Sequence, residues 1–263
     1  MKHYKELAQP HWQGFKRSLS TYTRLPIKVD WQQEVKHTSP VAFLPWVGLI
    51  VALLSAWPLW FDWSTSLQAL LMLLTAVLLT GGFHEDGLMD ACDGLVGGWE
   101  PEQRLKIMKD SRIGSYAALS VWFSLSLKWL LLSELLSVIN HSFLGLILAL
   151  CAWCAVHIIA RFTPLVIMNS LDYVSAGQSK ARSMVAQLSL IEWGVALVPV
   201  ALMWLLAFDG SDLINILLIV TLYLAALRFY LQKKIAGYNG DTLGACEQFA
   251  EVLILFCLFV SYT

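Results

Sequence analysis

The residues best suited to chemistry in this 263-residue chain lie between Gly81 and Gly94, which read Gly-Gly-Phe-His-Glu-Asp-Gly-Leu-Met-Asp-Ala-Cys-Asp-Gly. Asp86, Asp90 and Asp93 are spaced i, i+4, i+7, so a helix here puts three carboxylates on one face. Like charges so arranged repel, and a helix without a ligand gains nothing from them. A hard divalent cation turns that repulsion into binding. Mg²⁺ takes oxygen ligands, usually one or two carboxylates together with water and substrate phosphates. The flanking glycines let backbone approach a bulky ligand closely. A solvated acidic helix end is the competing reading. It accounts for one or two aspartates but not for three in phase among glycines. His84 either donates to a phosphate or orients a carboxylate, or it is an ordinary interfacial histidine. Glu85 points away from the aspartate row if the helix has already begun.

Two further stretches carry complementary groups. Arg104 to Gly114 reads Arg-Leu-Lys-Ile-Met-Lys-Asp-Ser-Arg-Ile-Gly. Arg binds phosphate bidentately and Lys as a point charge. Lys109, Asp110, Ser111 and Arg112 are therefore expected at an active site, whereas Arg104 and Lys106 need no role beyond anchoring a membrane segment. Gly237 to Ala245 reads Gly-Tyr-Asn-Gly-Asp-Thr-Leu-Gly-Ala, followed by Glu247 and Glu251. A glycine-rich turn offers free backbone N–H groups to an anion, and Asp241 offers another metal ligand. Asn239 and Thr242 of the same turn are candidate substrate contacts. Turns also use Asn-Gly and Asp for conformational reasons alone. Arg161, expected at the cytoplasmic end of a span, is a candidate phosphate ligand. Lys128 and Glu134 are six apart on one span and do not face each other, and Lys128 is expected to snorkel.

The elements that must position these groups are membrane helices. The chain is 57% hydrophobic and 14% charged, against roughly 25% charged in a soluble domain. Its net charge of −1 averages segments of opposite character and identifies no partner. Spanning helices need about 20 mostly apolar residues. Seven stretches qualify as candidates: roughly 41–61, 67–83, 115–138, 142–160, 188–208, 213–231 and 249–262. The second and last are short. Lys and Arg concentrate in alternate connections, which places the N-terminus and the three long loops in the cytoplasm and the C-terminus outside. An interfacial helix within 12–36 is the readiest addition to this scheme. Residues 1–40 hold no apolar core of signal-peptide type. The five cysteines, Cys151-x-x-Cys154 included, read as packing thiols in a reducing compartment, since no further zinc ligands are evident nearby. The twelve tryptophans read as interfacial belts. There is no internal repeat, and one membrane domain, 1–263, accounts for the chain.

With these motifs in place, the sequence resembles the cobalamin synthases, or adenosylcobinamide-GDP ribazoletransferases. Gly81 to Gly94 is similar to their H-x-D-G-x-x-D-x-x-D-G signature. Ile107 to Gly114 and Gly240 to Ala245 resemble their next and C-terminal motifs. Thr23-Arg24-Leu25-Pro26-Ile27 and Pro45-x-Val47-Gly48-Leu49 resemble their early ones. Two places depart from the pattern: Glu85 stands where the family is usually apolar, and 170–186 lacks the expected arginine- and glycine-bearing run. The resemblance implies an all-α, polytopic inner-membrane bundle with its active site at the cytoplasmic face. It also implies Mg²⁺ as cofactor and adenosylcobinamide-GDP with α-ribazole, or its 5′-phosphate, as substrates. The implied products are adenosylcobalamin, or its 5′-phosphate, and GMP. Beyond substrates and bilayer no partner is expected, nucleic acid included, and a homo-oligomer is compatible with it. An intramembrane prenyltransferase would carry a second D-x-x-x-D motif, and a CDP-alcohol phosphotransferase an Ala-Arg after Asp93-Gly94. A secondary transporter would place ionisable residues near the bilayer midplane.

Overall fold

The computed structural model describes residues 2–32, 38–139, 142–175, 187–207 and 210–262. Ten α-helices are found among them: α1 (Lys2–Tyr22), α2 (Leu44–Ser55), α3 (Thr65–Thr80), α4 (Phe83–Gly97), α5 (Pro101–Ile107), α6 (Ser115–Val138), α7 (Phe143–Ser170), α8 (Leu190–Ala207), α9 (Gly210–Ile235) and α10 (Gly240–Tyr262). Single 3₁₀ turns, Pro40–Phe43 and Trp57–Trp60, extend α2 at both ends. The all-α, polytopic expectation is met. Asn140, His141, Asp209 and residues 176–186, with Lys180 and Arg182, lie outside the described residues, so the connections expected there are not described.

Each expected span falls on a helix, but the lengths differ. Five stretches are long and apolar enough to cross a membrane: Pro40–Trp60, Ser115–Val138, Phe143–Ser170, Ile214–Ile235 and Gly240–Tyr262. The pair α3 and α4, bent by 86°, makes a sixth if counted as one span. The apolar stretch of α8, Leu190–Met203, is shorter. The fourth span runs ten residues beyond its expected end, through Pro164 to Ser170. The last begins at Gly240 rather than 249, because its polar residues point into the bundle instead of ending the helix. α1 overlaps 12–36, the interval in which a re-entrant or interfacial helix is the readiest addition to the seven-span scheme.

Packing follows from small residues at crossings. A Cβ on Gly48 would lie 2.3 Å from the His157 carbonyl oxygen, so only glycine lets α2 approach α7 this closely. At the same interface the buried Trp153 donates through Nε1 to Ser55 Oγ at 2.8 Å. Trp153 is thus a core residue rather than part of a belt. Trp60, Trp99 and Trp122 are well exposed, as belt residues would be. The main core joins α2, α3, α6, α7 and α10 around Val47, Met72, Leu132, Trp153, Ile158 and Leu255. A second cluster, including Leu88, Met108, Ile167, Leu231 and Tyr238, lies under α4 and α5. Leu70, Leu78, Leu119, Leu130 and Phe229 face outward, where lipid is their natural solvent. All five cysteines are free thiols.

Candidate active site

The sharp corner between α3 and α4 is made by Gly81 and Gly82, both at φ +69°. That left-handed backbone favours glycine, and it closes the α3 C-terminus through Gly82 N to Val77 O at 2.9 Å. Arg24 seals the corner: its N–H donates to Leu79 O at 2.7 Å, and its Nε would lie 2.2 Å from a Cβ on Gly81. The early Thr23–Ile27 motif therefore holds the corner from which α4 departs.

α4 then crosses the first turns of α10. A Cβ on Gly87 would meet Asp241 O at 3.1 Å and Gly244 Cα at 3.2 Å, and one on Gly244 would meet His84 O at 3.1 Å. Two glycines face each other, and their lack of side chains brings α4 and α10 into backbone contact. The crossing places Asp241 within electrostatic reach of Asp86, Asp90 and Lys109. The crossing thus brings the first and third motifs together. α10 is capped by Asn239, whose Oδ1 accepts from Thr242 N at 2.9 Å, while Thr242 Oγ1 accepts from Asn239 N at 2.9 Å. Asn239 also donates through Nδ2 to Asp241 Oδ2 at 3.1 Å. The two residues expected as substrate contacts are buried in this cap; they aim Asp241 rather than face open solvent.

The aspartate row divides in two. Asp93, expected as a third ligand, uses both oxygens on the N-terminus of α6, accepting from Gly114 N at 2.6 Å and Ala117 N at 2.8 Å. That ties the first motif to the second. Asp86 is exposed and Asp90 half-buried. Burial first, then the charges of Asp86 and Asp93, push the Asp90 carboxyl up to about 6. Asp110 and Arg112 close on each other in the turn before α6, Arg112 Nη2 donating to Asp110 Oδ2 at 2.5 Å. Arg112 beside it holds Asp110 down at about 2. Ser111 and Lys109 are exposed in the same turn. Arg104 is instead structural, donating to Gly98 O at 3.1 Å and Lys234 O at 2.7 Å.

Among the described residues, no three of the aspartates bring carboxylate oxygens within 4.8 Å of one another. The donor set still fits Mg²⁺, which is usually held by one or two carboxylates while water and substrate phosphates complete the shell. His157, Glu247 and Glu251 do meet that distance, but protein cations already occupy their midst.

Those residues belong to a buried ionic network that the sequence did not foretell. Lys128 Nζ donates to Gln248 Oε1 at 2.6 Å and Glu251 Oε2 at 2.8 Å. Arg161 Nη1 lies 3.0 Å from Glu247 Oε1 and 3.2 Å from Glu251 Oε1. His157 Nδ1 lies 2.7 Å from Glu251 Oε1. Glu85 Oε1 accepts from Gln248 Nε2 at 3.2 Å, so Glu85 turns into the bundle, away from Asp86. Lys128 does not snorkel, because two acceptors on α10 reach it. Arg161 is not at the end of a span; it is buried mid-helix, spent on two glutamates. His84, also buried, sits with Nδ1 3.7 Å from Glu247 Oε2. Ionisable groups therefore do occupy the interior of the spanning bundle. They pair closely around a cavity of about 10 Å³, lined in part by Glu85, Lys128, His157, Arg161 and Glu251.

A pH dependence follows from Asp90. Its folded pKa of about 6 lies above the ordinary 3.8, so its contribution to stability is fully present below about 3.8 and lost as pH rises through 6. A cation that binds the ionised cluster reverses the loss. Thermal unfolding of detergent-purified, metal-stripped protein should show a larger Mg²⁺-induced rise in Tm at pH 7.5 than at pH 5. An equal rise at both values would remove Asp90 from the metal site.

Fold and site together define a polytopic α-helical bundle with Asp86, Asp90 and Asp241 around one helix crossing. The family model described as cobalamin-5-phosphate synthase matches residues 14–259, and the chain belongs to that family. It is 38% identical over 251 residues, 92% of this chain and 93% of the other, to an adenosylcobinamide-GDP ribazoletransferase of Shewanella piezotolerans. It is 36% identical over 248 residues, 92% of both chains, to a protein of that name from Shewanella baltica. No solved structure matches.

Proposed function

We propose that the chain transfers the adenosylcobinamide phosphate group from adenosylcobinamide-GDP to α-ribazole, or to its 5′-phosphate, and releases GMP with Mg²⁺ as cofactor. The observation that carries this reading is the Gly87–Gly244 crossing, which gathers Asp86, Asp90 and Asp241 beside Lys109 in a chain whose relatives are named for that transfer. Asp86, Asp90 and Asp241 would hold the metal, and Asp93 would hold their helix against α6. Bound Mg²⁺ supplies charge neutralisation at the diphosphate. A ribose hydroxyl oxygen forms the new bond to the phosphorus bearing the cobinamide arm. The diphosphate P–O bond breaks, GMP leaves with the electron pair, and the hydroxyl proton passes to a carboxylate of the cluster. Lys109 and Arg112 offset charge as it builds on the phosphoryl oxygens. Such transfers depend on positioning and electrostatics more than on covalent help from the protein.

We infer from the basic connections that this face is cytoplasmic and that the protein lies in the inner membrane. One experiment tests both parts of the reading. Inverted membrane vesicles given donor, Mg²⁺ and each acceptor should release GMP, whereas sealed right-side-out vesicles should not. No GMP from either acceptor, or release that survives a chelator, would refute the reaction. Release only from right-side-out vesicles would refute the orientation.

A further inference from the structure

α8 and α9 both pack on α7, but among the described residues they make little contact with each other. The cleft left between them has a volume of about 600 Å³. Its α9 wall is one helix face, running through Leu217 and Leu224 to Arg228. Leu197 of α8 and Leu217 of α9 line it and are 44% and 37% exposed, so the cleft opens sideways. α9 is apolar enough to cross a membrane over Ile214–Ile235, and the opening therefore faces hydrocarbon. Arg228 is the one charged residue of the lining. It stands before the end of that span at Ile235, about 10 Å inside it at the helical rise per residue. The side chain is exposed. Among the described residues it pairs with no carboxylate, and its Nε donates only at 3.4 Å, to Ser170 O at the end of α7. An arginine inside a spanning segment is costly without a counter-charge. A second copy of the chain does not supply one. The exposed carboxylate of the described spans is Glu134, near the end of α6 remote from Gly114 and the aspartates. Arg228 lies instead toward the end of α9 that leads into Asn239.

We propose that this cleft holds an anionic phospholipid, with an acyl chain between α8 and α9 and the headgroup phosphate on the Arg228 guanidinium. The apolar walls suit a chain, and the volume falls within the range of ordinary ligand sites. Guanidinium pairs with phosphate through a planar fork of donors. A headgroup of net negative charge neutralises Arg228, whereas the phosphate of a zwitterionic lipid already has its own counter-charge. Basic pockets between spanning helices take anionic headgroups for this reason. So placed, the lipid fills the gap that protein side chains leave between α8 and α9, and it supplies the partner that Arg228 lacks. The site stands independently of the transferase reading, since none of its residues belongs to the α4–α10 crossing.

The test is native mass spectrometry of delipidated full-length protein in detergent, titrated with phosphatidylglycerol or with phosphatidylcholine of the same acyl chains. The parent should bind one phosphatidylglycerol saturably, roughly tenfold more tightly than phosphatidylcholine. Arg228→Gln removes the charge from an exposed position and should erase that preference. Ala225→Trp keeps the charge but fills the cleft, and should weaken phosphatidylglycerol binding by tenfold or more. If Ala225→Trp does not fold, Arg228→Gln alone decides. Glycerol 3-phosphate should not displace the bound lipid, because it carries the phosphate without a chain. Equal binding of the two lipids, or unchanged selectivity in Arg228→Gln, would overturn the proposal. So would displacement by glycerol 3-phosphate, or a lipid-free dimer that Arg228→Gln dissociates, which would give the cleft to a second copy.

Discussion

Asp86→Asn and Asp241→Asn should each lower kcat for GMP release by at least about a hundredfold, the scale on which removal of one electrostatic contact to a developing charge is felt. Each replacement keeps shape and removes one charge from a set that sits together at the Gly87–Gly244 crossing. Because the carboxylates act on one diphosphate, combining the two changes should cost far less than the sum of the single losses. Asp93→Asn should behave differently. Its carboxylate caps α6 through Gly114 N and Ala117 N, so the main effect should be a stability loss of about 1 kcal/mol. A solvated acidic helix end would give the opposite pattern, since relief of repulsion stabilises and leaves rate untouched. Measuring kcat and thermal stability across the three variants separates the two accounts.

The second large effect should fall on stability. Glu251 is shared by Lys128, His157 and Arg161, all buried. Glu251→Gln leaves two cations in the bundle with reduced compensation. Removal of one partner from a buried pair typically costs about 3–5 kcal/mol. Unfolding of the micelle-bound protein by SDS titration should show a loss of that order. The paired change Lys128→Met with Glu251→Leu should cost much less than the two single changes summed, because it removes the charge and its counter-charge together. Additive losses would mean that the pair contributes no mutual stabilisation. The network joins α6, α7 and α10, and through Gln248 to Glu85 it reaches α4, so it also fixes the crossing on which the candidate site depends.

Much of this arrangement was legible before the structure. Long apolar blocks broken by short polar ones gave the helical membrane architecture, and the i, i+4, i+7 spacing of Asp86, Asp90 and Asp93 gave a helix with an acidic face. What stayed hidden depended on contacts between residues far apart in sequence. Gly87 and Gly244 looked like conformational glycines, and nothing local to either shows that they face each other. The start of the last helix was placed nine residues late, because Asp241, Glu247, Gln248 and Glu251 lower local hydropathy, although all but Asp241 are buried. The i, i+4 pairs His157–Arg161 and Glu247–Glu251 carried the missing signal. Two cationic or titratable residues on one apolar helix and two acids on another are complementary, and each needs the other to be buried at all. The spacing of Asn239 and Thr242 suits a helix cap as well as ligand chemistry, and the cap is what forms. The spacing of Asp93 shows which helix face it shares but not that the start of α6 comes to meet it.

The claim on which the rest depends is that the crossing of α4 and α10 forms a divalent-cation site. Mn²⁺ is a hard cation that takes the same oxygen ligands as Mg²⁺, and its electron paramagnetic resonance signal distinguishes bound from free ion. Titrating Mn²⁺ into detergent-purified parent protein with the nucleotide donor present should give saturable binding that Mg²⁺ displaces. In Asp86→Asn and Asp241→Asn that binding should be weakened by roughly tenfold or more, with protein fold and level unchanged. Equal Mn²⁺ binding by the parent and both variants would contradict the account, because it would place the metal away from the crossing.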